Sequence, residues 1–500
     1  MDFKFLSVRK KVDQKIMSIV NSFKWVGLGQ FVRISTQLVA LFYLTRLIAP
    51  ADYGLLAMAS VVMNLANIFN DMGTGTAVIQ RQNASQGFYN YIYRINVFTG
   101  IFIMLFVIAI SPLIVNYFNR DELYPILCLL ALSFPISSLT IVHKAKLEKE
   151  MAFQAVVKIE IFASFIGMIL AIILANLNFG VYSLIFQTLI TISISTLAFL
   201  KISDLTLSLK SKNITSSDKA GVIGFSGYLL SFNFINYFSR NLDSILIGRF
   251  FSATILGAYS IAYRIMLFPL QSLTFVISRV FLPHFSKNIN NTNKNKQDYL
   301  RALQVILSLS APLMLGLAAT SISFTALFFD DKWYLIGELL LWLAPTAIIQ
   351  SALSTTGTVF MAYGKTKWLF ILGCIGALLM GVAFGTGIFF DIKTLVVLYF
   401  IANLINFFPS FILMKKILNF RYLELINVIL RSVFPAILMF VLLKVLQDFY
   451  SFEDVLISFF INVLLGIFSY IVFYTILNFN DIQKIKIILK NKLRNRNQIT

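Results

Sequence analysis

Apolar runs of about 20 residues, bounded by charged or Gly/Pro/Asn-rich breaks, recur along this chain almost from end to end. A hydrocarbon core about 30 Å thick takes roughly 20 apolar residues per crossing helix, and it tolerates no lipid-exposed backbone polar group without an internal partner. The runs therefore predict an all-α integral membrane protein. Composition agrees: 58% of the 500 residues are hydrophobic, 13% are charged and the mean hydropathy is +0.81, outside the usual range of soluble chains. Little chain is left for a soluble domain.

Helices placed between the breaks fall near 23–47, 53–72, 92–116, 123–142, 155–175 and 179–200. After the polar stretch KISDLTLSLKSKNITSSDKA, six more fall near 222–247, 254–283, 299–328, 335–361, 367–389 and 394–414, and two last ones near 425–445 and 455–477. The expected architecture is about 14 transmembrane helices: two parallel six-helix bundles, 23–200 and 222–414, around a central cavity, plus two additional helices within 415–477. Residues 1–22 read as a cytoplasmic amphipathic segment, 201–221 as a cytoplasmic linker and 478–500 as a basic cytoplasmic tail. The N-terminus lacks a short apolar core followed by a small-residue cleavage site, so it reads as retained.

The net charge of +20 tests this topology. Lys and Arg collect on the cytoplasmic side of membrane proteins. With the N-terminus inside, 33 of the 42 basic residues fall on that side, Arg46, Arg120, Arg249, Lys332, Lys393 and Lys444 fall outside, and Arg33, Arg240 and Arg264 lie within helices. A miscounted helix would invert every later loop and spoil the separation. Topology absorbs the charge, so no nucleic-acid partner is implied; the expected contacts are membrane lipids, with both termini cytoplasmic.

The two halves resemble each other. LTRLIAPADYGLLAMAS joins the first helix to the second, and LIGRFFSATILGAYSIA joins the seventh to the eighth. Arg46 and Gly54 are eight apart, as are Arg249 and Gly257, which fixes an offset of 203 residues that also superimposes the helix pattern. Six helices per repeat give both repeats the same orientation.

Ionisable residues at membrane depth are the first functional candidates, because an arginine near a helix centre costs about 2.5–3.5 kcal/mol on insertion scales. The first helix carries Gln30, Arg33 and Gln37 on one face, and the seventh carries Asn233, Asn236, Arg240 and Asp243 in the same manner. Arg264 lies in the eighth helix, and the second carries Asn64, Asn67, Asn70 and Asp71. This set is cationic with amide partners. A guanidinium donates two parallel bonds to a phosphate and stays charged, whereas amides suit sugars, so an anionic, glycosylated ligand is expected. Arg46 and Arg249 either bind the same ligand or snorkel to headgroups. Asp71, Asp243 and Glu160 serve structural pairing or ion coupling.

No chemistry-bearing cluster accompanies them. Cys128 and Cys374 sit far apart in apolar segments and read as packing residues; His143 and His284 sit at polar junctions and read as interfacial. No metal, cofactor or catalytic residue is expected. Gly73 and Gly75 lack the preceding strand and following lysine of a phosphate loop.

The segments LTRLIAPADYGLLAMASVVMNLANIFNDMGTGTAVIQR, HKAKLEKEMAF and LGAYSIAYRIMLFPLQSLTFVISRVFLPHFSK resemble the bacterial polysaccharide transporter (Wzx-like) family of the multidrug/oligosaccharidyl-lipid/polysaccharide (MOP) exporter superfamily. The resemblance implies an alternating-access flippase for undecaprenyl-diphosphate-linked oligosaccharides, serving O-antigen, capsule or exopolysaccharide synthesis alongside a polymerase and a chain-length regulator. It implies that Arg33, Arg240 and Arg264 receive the pyrophosphate and sugar head. Three alternatives stay open: a peptidoglycan-precursor flippase, a cation-coupled small-molecule exporter of the same superfamily, and a membrane glycan polymerase or ligase, which the short outer connections disfavour.

Overall fold

Backbone surrounded by lipid must satisfy its own polar groups, and in the computed structural model every regular element among the described residues is helical. Those residues are 29, 32, 35–71, 74–81, 84–208, 237, 238, 240–287, 289, 291–450 and 454–479; the side chains of Asp71, Gln80, 270–284 and 286–287 lie outside the description. Ten of the described helices are long and apolar enough to cross a membrane, eleven if one bent pair is a single span. The other three expected spans, the first, seventh and eighth, run through residues or side chains outside that set.

The chain divides into two units, Met1–Gly257 and Ala258–Thr500. Unit 1 contains α1 (35–47), α2 (Pro50–Asp71), α3 (Thr74–Gln80), α4 (Gln86–Phe118), α5 (Leu123–Ala131), α6 (Ser133–Ser138), α7 (Ile141–Lys149), α8 (Phe153–Asn176), α9 (Val181–Ile202), α10 (240–250) and the first turn of α11 (Ala253–Lys287). Within it α4 packs on α5 and α6, and α8 pairs with α9. Ser85 caps α4 by accepting the Phe88 N–H at 3.1 Å, and Asn119, at φ 56°, closes its other end in the left-handed conformation that asparagine tolerates.

The sequence reads 123–142 as one helix, but the structure breaks it. The α5–α6 segment and α7 meet at 44°, with the break at Leu139 and Thr140. Pro135 removes a backbone donor, and two and three residues later Ser137 and Ser138 turn their hydroxyls onto the Phe134 carbonyl, at 3.1 and 2.8 Å. His143, just beyond the break, is buried against Ser203, its Nδ1 in hydrogen-bond contact with that hydroxyl, with Tyr93 edge-on to its ring; the interfacial reading is corrected.

Unit 2 contains the rest of α11, then α12 (Thr292–Ala319), α13 (Ser321–Phe328), a 3-10 turn (Asp331–Trp333), α14 (Leu335–Ala362), α15 (Thr366–Gly387), α16 (Ile392–Leu418), α17 (Tyr422–Phe449) and α18 (Val455–Leu477). Here α12 packs on α14 and α17, α14 on α16, and α15 on α16. The span expected over 299–328 stops early: the Thr320 hydroxyl donates to the Gly316 carbonyl at 2.9 Å, and α13 starts afresh. It lies close on α14 because Gly337 has no side chain; a Cβ there would sit 3.1 Å from the Ser321 carbonyl oxygen. A polar seam runs inside the unit, in which Gln350 Nε2 donates to the Tyr399 hydroxyl at 2.6 Å and to Asn403 Oδ1 at 3.3 Å. The hydroxyls of Tyr299 and Thr355 lie 2.9 Å apart. Large apolar side chains such as Leu464 and Phe468 are exposed, the reverse of a soluble chain, and Cys374 is exposed rather than packed.

Candidate functional site

The candidate side chains of unit 1 are positioned by a close fit between α2, α10 and the start of α11. Gly54 of α2 meets the chain at Ala253 so tightly that a Cβ would lie 1.8 Å from the Ala253 carbonyl oxygen. Gly257 of α11 meets Pro50 in the same way, its absent Cβ 1.9 Å from the Pro50 carbonyl oxygen. The 203-residue offset that pairs Gly54 with Gly257 also pairs Pro50 with Ala253, so the contact maps onto itself when the repeats are exchanged. Small residues are what let helix backbones approach this far in a membrane. Further along, Gly248 packs on Met58 and Phe118, and the Tyr237 hydroxyl donates to the Val61 carbonyl.

Arg240 stands on this framework. It is exposed, and it makes no ion pair or hydrogen bond among the described residues. Ten residues separate it from the end of α10 at 250, which at 1.5 Å per residue is about 15 Å, half the thickness of a hydrocarbon core. Asn64 and Asn67 of α2 are exposed as well, whereas Asn70, one turn on, is buried, donating to Ser137 at 3.3 Å and accepting from Ser138 at 3.1 Å. The amides of α2 thus divide into an open pair and a structural one.

Asp243 is buried, and its Oδ1 accepts the Ser244 N–H at 2.6 Å. Glu160 accepts from Lys144 at 2.6 Å, an ion pair between α8 and α7 that compensates its charge. At the far end of α10, Arg249 is exposed and lays its guanidinium 5.8 Å from the centre of the Tyr117 ring, and Arg46 is exposed at the end of α1. In unit 2, Arg264 is exposed in α11, 11 residues from that helix's first residue. Gln30, Arg33, Asn233 and Asn236 lie outside the described residues, as does the side chain of Asp71.

Among the described residues no group of three or more His, Cys, Asp or Glu could hold a metal ion. Sequence reasoning missed Tyr237, just before α10, whose hydroxyl reaches the Val61 carbonyl of α2; nothing in its sequence context distinguishes it from other interfacial tyrosines. It did single out Gly54 and Gly257, but as repeat markers rather than as partners.

Comparison with known proteins places these features in a family. Residues 43–336 match the family described as polysaccharide biosynthesis protein. The chain is 27% identical over 397 residues to the teichuronic acid biosynthesis protein TuaB of Bacillus subtilis (strain 168), covering 78% of this chain and 80% of that one. It is also 27% identical over 346 residues to the lipopolysaccharide biosynthesis protein WzxC of Escherichia coli (strain K12), covering 69% and 70%. Among solved structures, the lipid II flippase MurJ in an inward closed conformation superimposes with a TM-score of 0.72 at 17% identity, over 93% of this chain and 100% of that one. An inward-facing multidrug resistance MATE family transporter of the MOP superfamily superimposes with a TM-score of 0.59 at 15% identity, over 78% and 98%. The fold is that of these transporters.

Proposed function

We propose that this chain, which belongs to the polysaccharide biosynthesis protein family, is a flippase that moves undecaprenyl-diphosphate-linked oligosaccharide repeat units across the bacterial cytoplasmic membrane. The observation that carries the reading is Arg240: a guanidinium at mid-membrane depth, exposed and without a partner among the described residues. Facing lipid it would be costly; facing a water-filled passage it is a receptor for an anion that must cross. Its fork geometry suits the two phosphates of a diphosphate, and the exposed carboxamides of Asn64 and Asn67 offer donors and acceptors for sugar hydroxyls. Arg33 and Arg264 complete the cationic set, with Gln30, Asn233 and Asn236 as further polar partners.

Polysaccharide assembly supplies the biological setting, since relatives carry names in teichuronic acid and lipopolysaccharide biosynthesis. The cycle is alternating access, with both termini cytoplasmic and the product handed to a polymerase and chain-length regulator outside. The repeat-symmetric contact of Gly54 and Gly257 is a closed outer end that the cycle has to open. Asp71 and Asp243 are the acids to examine for ion coupling; Glu160, paired with Lys144, is the weaker candidate.

Arg240→Ala should abolish surface glycan in a deletion strain while the protein accumulates normally in the membrane, and Arg240→Lys should restore part of it. Full glycan display by the alanine variant would remove the anion-receptor role. A lipid II flippase reading is favoured by the superposition on MurJ. Complementation separates the two, because the proposed function predicts no rescue of a strain depleted of its lipid II flippase.

A further inference from the structure

Unit 2 holds a cavity of about 250 Å³ between α13, α14, α16 and α17, lined by Ser321, Glu338, Trp342, Lys393 and Lys444 among others. A water takes up about 30 Å³ of liquid, so there is room for a multi-atom polar group. The residues are far apart in sequence and meet at helix ends: Ser321 opens α13, Glu338 lies in the first turn of α14, Lys393 is the second residue of α16, and Lys444 is five residues from the end of α17. This is headgroup depth. Lys332, Lys393 and Lys444 are three of the six basic residues that the charge pattern places outside, so the cavity belongs to the outer leaflet.

The charges in the cavity do not balance. Lys393 is matched, donating to Glu338 at 2.9 Å. Lys444 is half-buried and makes no ion pair or hydrogen bond among the described residues. The acids nearby are engaged elsewhere or stand off. The carboxylate of Asp391 caps α16 by accepting the N–H of Thr394 at 3.1 Å and its hydroxyl, which holds that acid below the usual carboxylate range. Asp330 pairs with Lys332 at 3.5 Å, and Asp448 is exposed beyond salt-bridge distance of Lys444. Within the lining itself two ammoniums meet one carboxylate, an excess of one positive charge, with Asp448 and Asp391 acting on Lys444 and Lys393 from outside the lining. Trp342, tilted against Phe400 with ring centroids 5.7 Å apart, forms an amphipathic wall of the kind that sits at membrane–water interfaces.

We propose that this cavity binds the headgroup of an anionic phospholipid carrying a single negative charge, its phosphate between Lys444 and Lys393 and its polar end against Trp342 and Ser321. One excess charge matches a phosphodiester, whereas a diphosphate carries two or more. The site is independent of the cargo path proposed above.

Full-length protein purified in mild detergent should retain one phosphatidylglycerol in native mass spectrometry, in preference to zwitterionic phosphatidylethanolamine. Lys444→Gln should weaken that retention about fivefold, the effect of one cation near a membrane surface. Lys444→Arg and Lys332→Gln should preserve it, and Glu338→Gln, which raises the local charge, should preserve or strengthen it. Lys393→Gln leaves Glu338 to neutralise Lys444 and should weaken retention even if Lys444→Gln fails to fold. Equal retention by wild type and both glutamine variants at the lysines would overturn the site, as would indifference between the two phospholipids. Stronger retention of a polyisoprenyl monophosphate than of phosphatidylglycerol would assign the cavity to the cargo and overturn the phospholipid.

Discussion

In unit 1 the fourth span breaks by 44° beside Ser138, whereas α14 of unit 2 runs unbroken from Leu335 to Ala362 although it too contains a proline, Pro345. Both helices carry hydroxyls that bond back to their own carbonyls: Ser137 and Ser138 onto Phe134, and in α14 Ser351 onto Ile348 and Thr355 onto Ala352. What differs is the number of hydroxyls beside the proline. Pro135 lies two and three residues before its serines, so the missing N–H and the competing hydroxyls fall in one turn. In α14 Thr346, next to Pro345, also bonds back, onto the Trp342 carbonyl at 2.8 Å, but as a single hydroxyl, whereas two hydroxyls share the Phe134 carbonyl at the break. A proline with one such hydroxyl beside it leaves α4, α14 and α16 unbroken, at Pro112, Pro345 and Pro409; Pro135 is followed by two, and Asn70 engages both from α2.

The partners across the helices differ too. At the break, Asn70 reaches from α2 to Ser137 and Ser138, and the Thr140 and Thr196 hydroxyls approach to 2.6 Å. In unit 2 the seam of Gln350, Tyr399 and Asn403 joins two continuous helices. Unit 1 combines its polar seam with a bend and with backbone contacts at Gly54 and Gly257, where a Cβ would lie under 2 Å from a carbonyl oxygen; unit 2 combines its seam with looser approaches, such as Gly337 on the Ser321 carbonyl.

The largest expected effect tests those backbone contacts. Gly257→Ala drives a Cβ into the Pro50 carbonyl, where no flexible side chain can give way, and should lower stability by about 3 kcal/mol or more, read as a fall in melting temperature of the detergent-purified protein. Gly385→Ala in α15 of unit 2, with nothing within 4 Å of the new carbon, should leave it unchanged. An equal response from both would erase the distinction between the units. Next, Asn70→Leu removes the partner that α2 offers Ser137 and Ser138 in unit 1, and Gln350→Leu removes the donor to Tyr399 and Asn403 in unit 2. Each should cost about 1–2 kcal/mol in the same assay. A cost in only one unit would show that the seams are not equivalent. The smallest effect sharpens the account of the bend: Pro135→Ala should change stability by about 1 kcal/mol or less while straightening the span, read as a longer distance between spin labels at 124 and 148. Pro345→Ala should leave the corresponding distance across α14 unaltered.

Hydropathy made most of the spans legible, because burial in lipid leaves a signal in every residue of a helix. It did not reveal the break at Leu139, since Phe134 to Ile141 carries no charge and its Pro135, Ser137, Ser138 and Thr140 are residues that membrane helices tolerate, nor the stop at Thr320. Both depend on which carbonyl a hydroxyl chooses. Arg240 was legible because charge at membrane depth is rare. The partnership of Lys444 with Lys393 and Glu338 was not, because three helices bring them together and no local pattern records that. Tyr237 was silent for the same reason.

The self-mapping contact at Gly54 and Gly257 also bears on ancestry. A surface that touches its own copy in this reciprocal manner is what an isologous homodimer makes. A half-length chain bearing a single Pro-x-x-x-Gly corner would contain both sides of the joint, and two such chains could meet through it before any fusion. After duplication the two sides drift separately, as Pro50 and Ala253 already have. A relative that enlarges the residue at 54 should therefore show its compensating change around 253, and leave the corner at 257 alone.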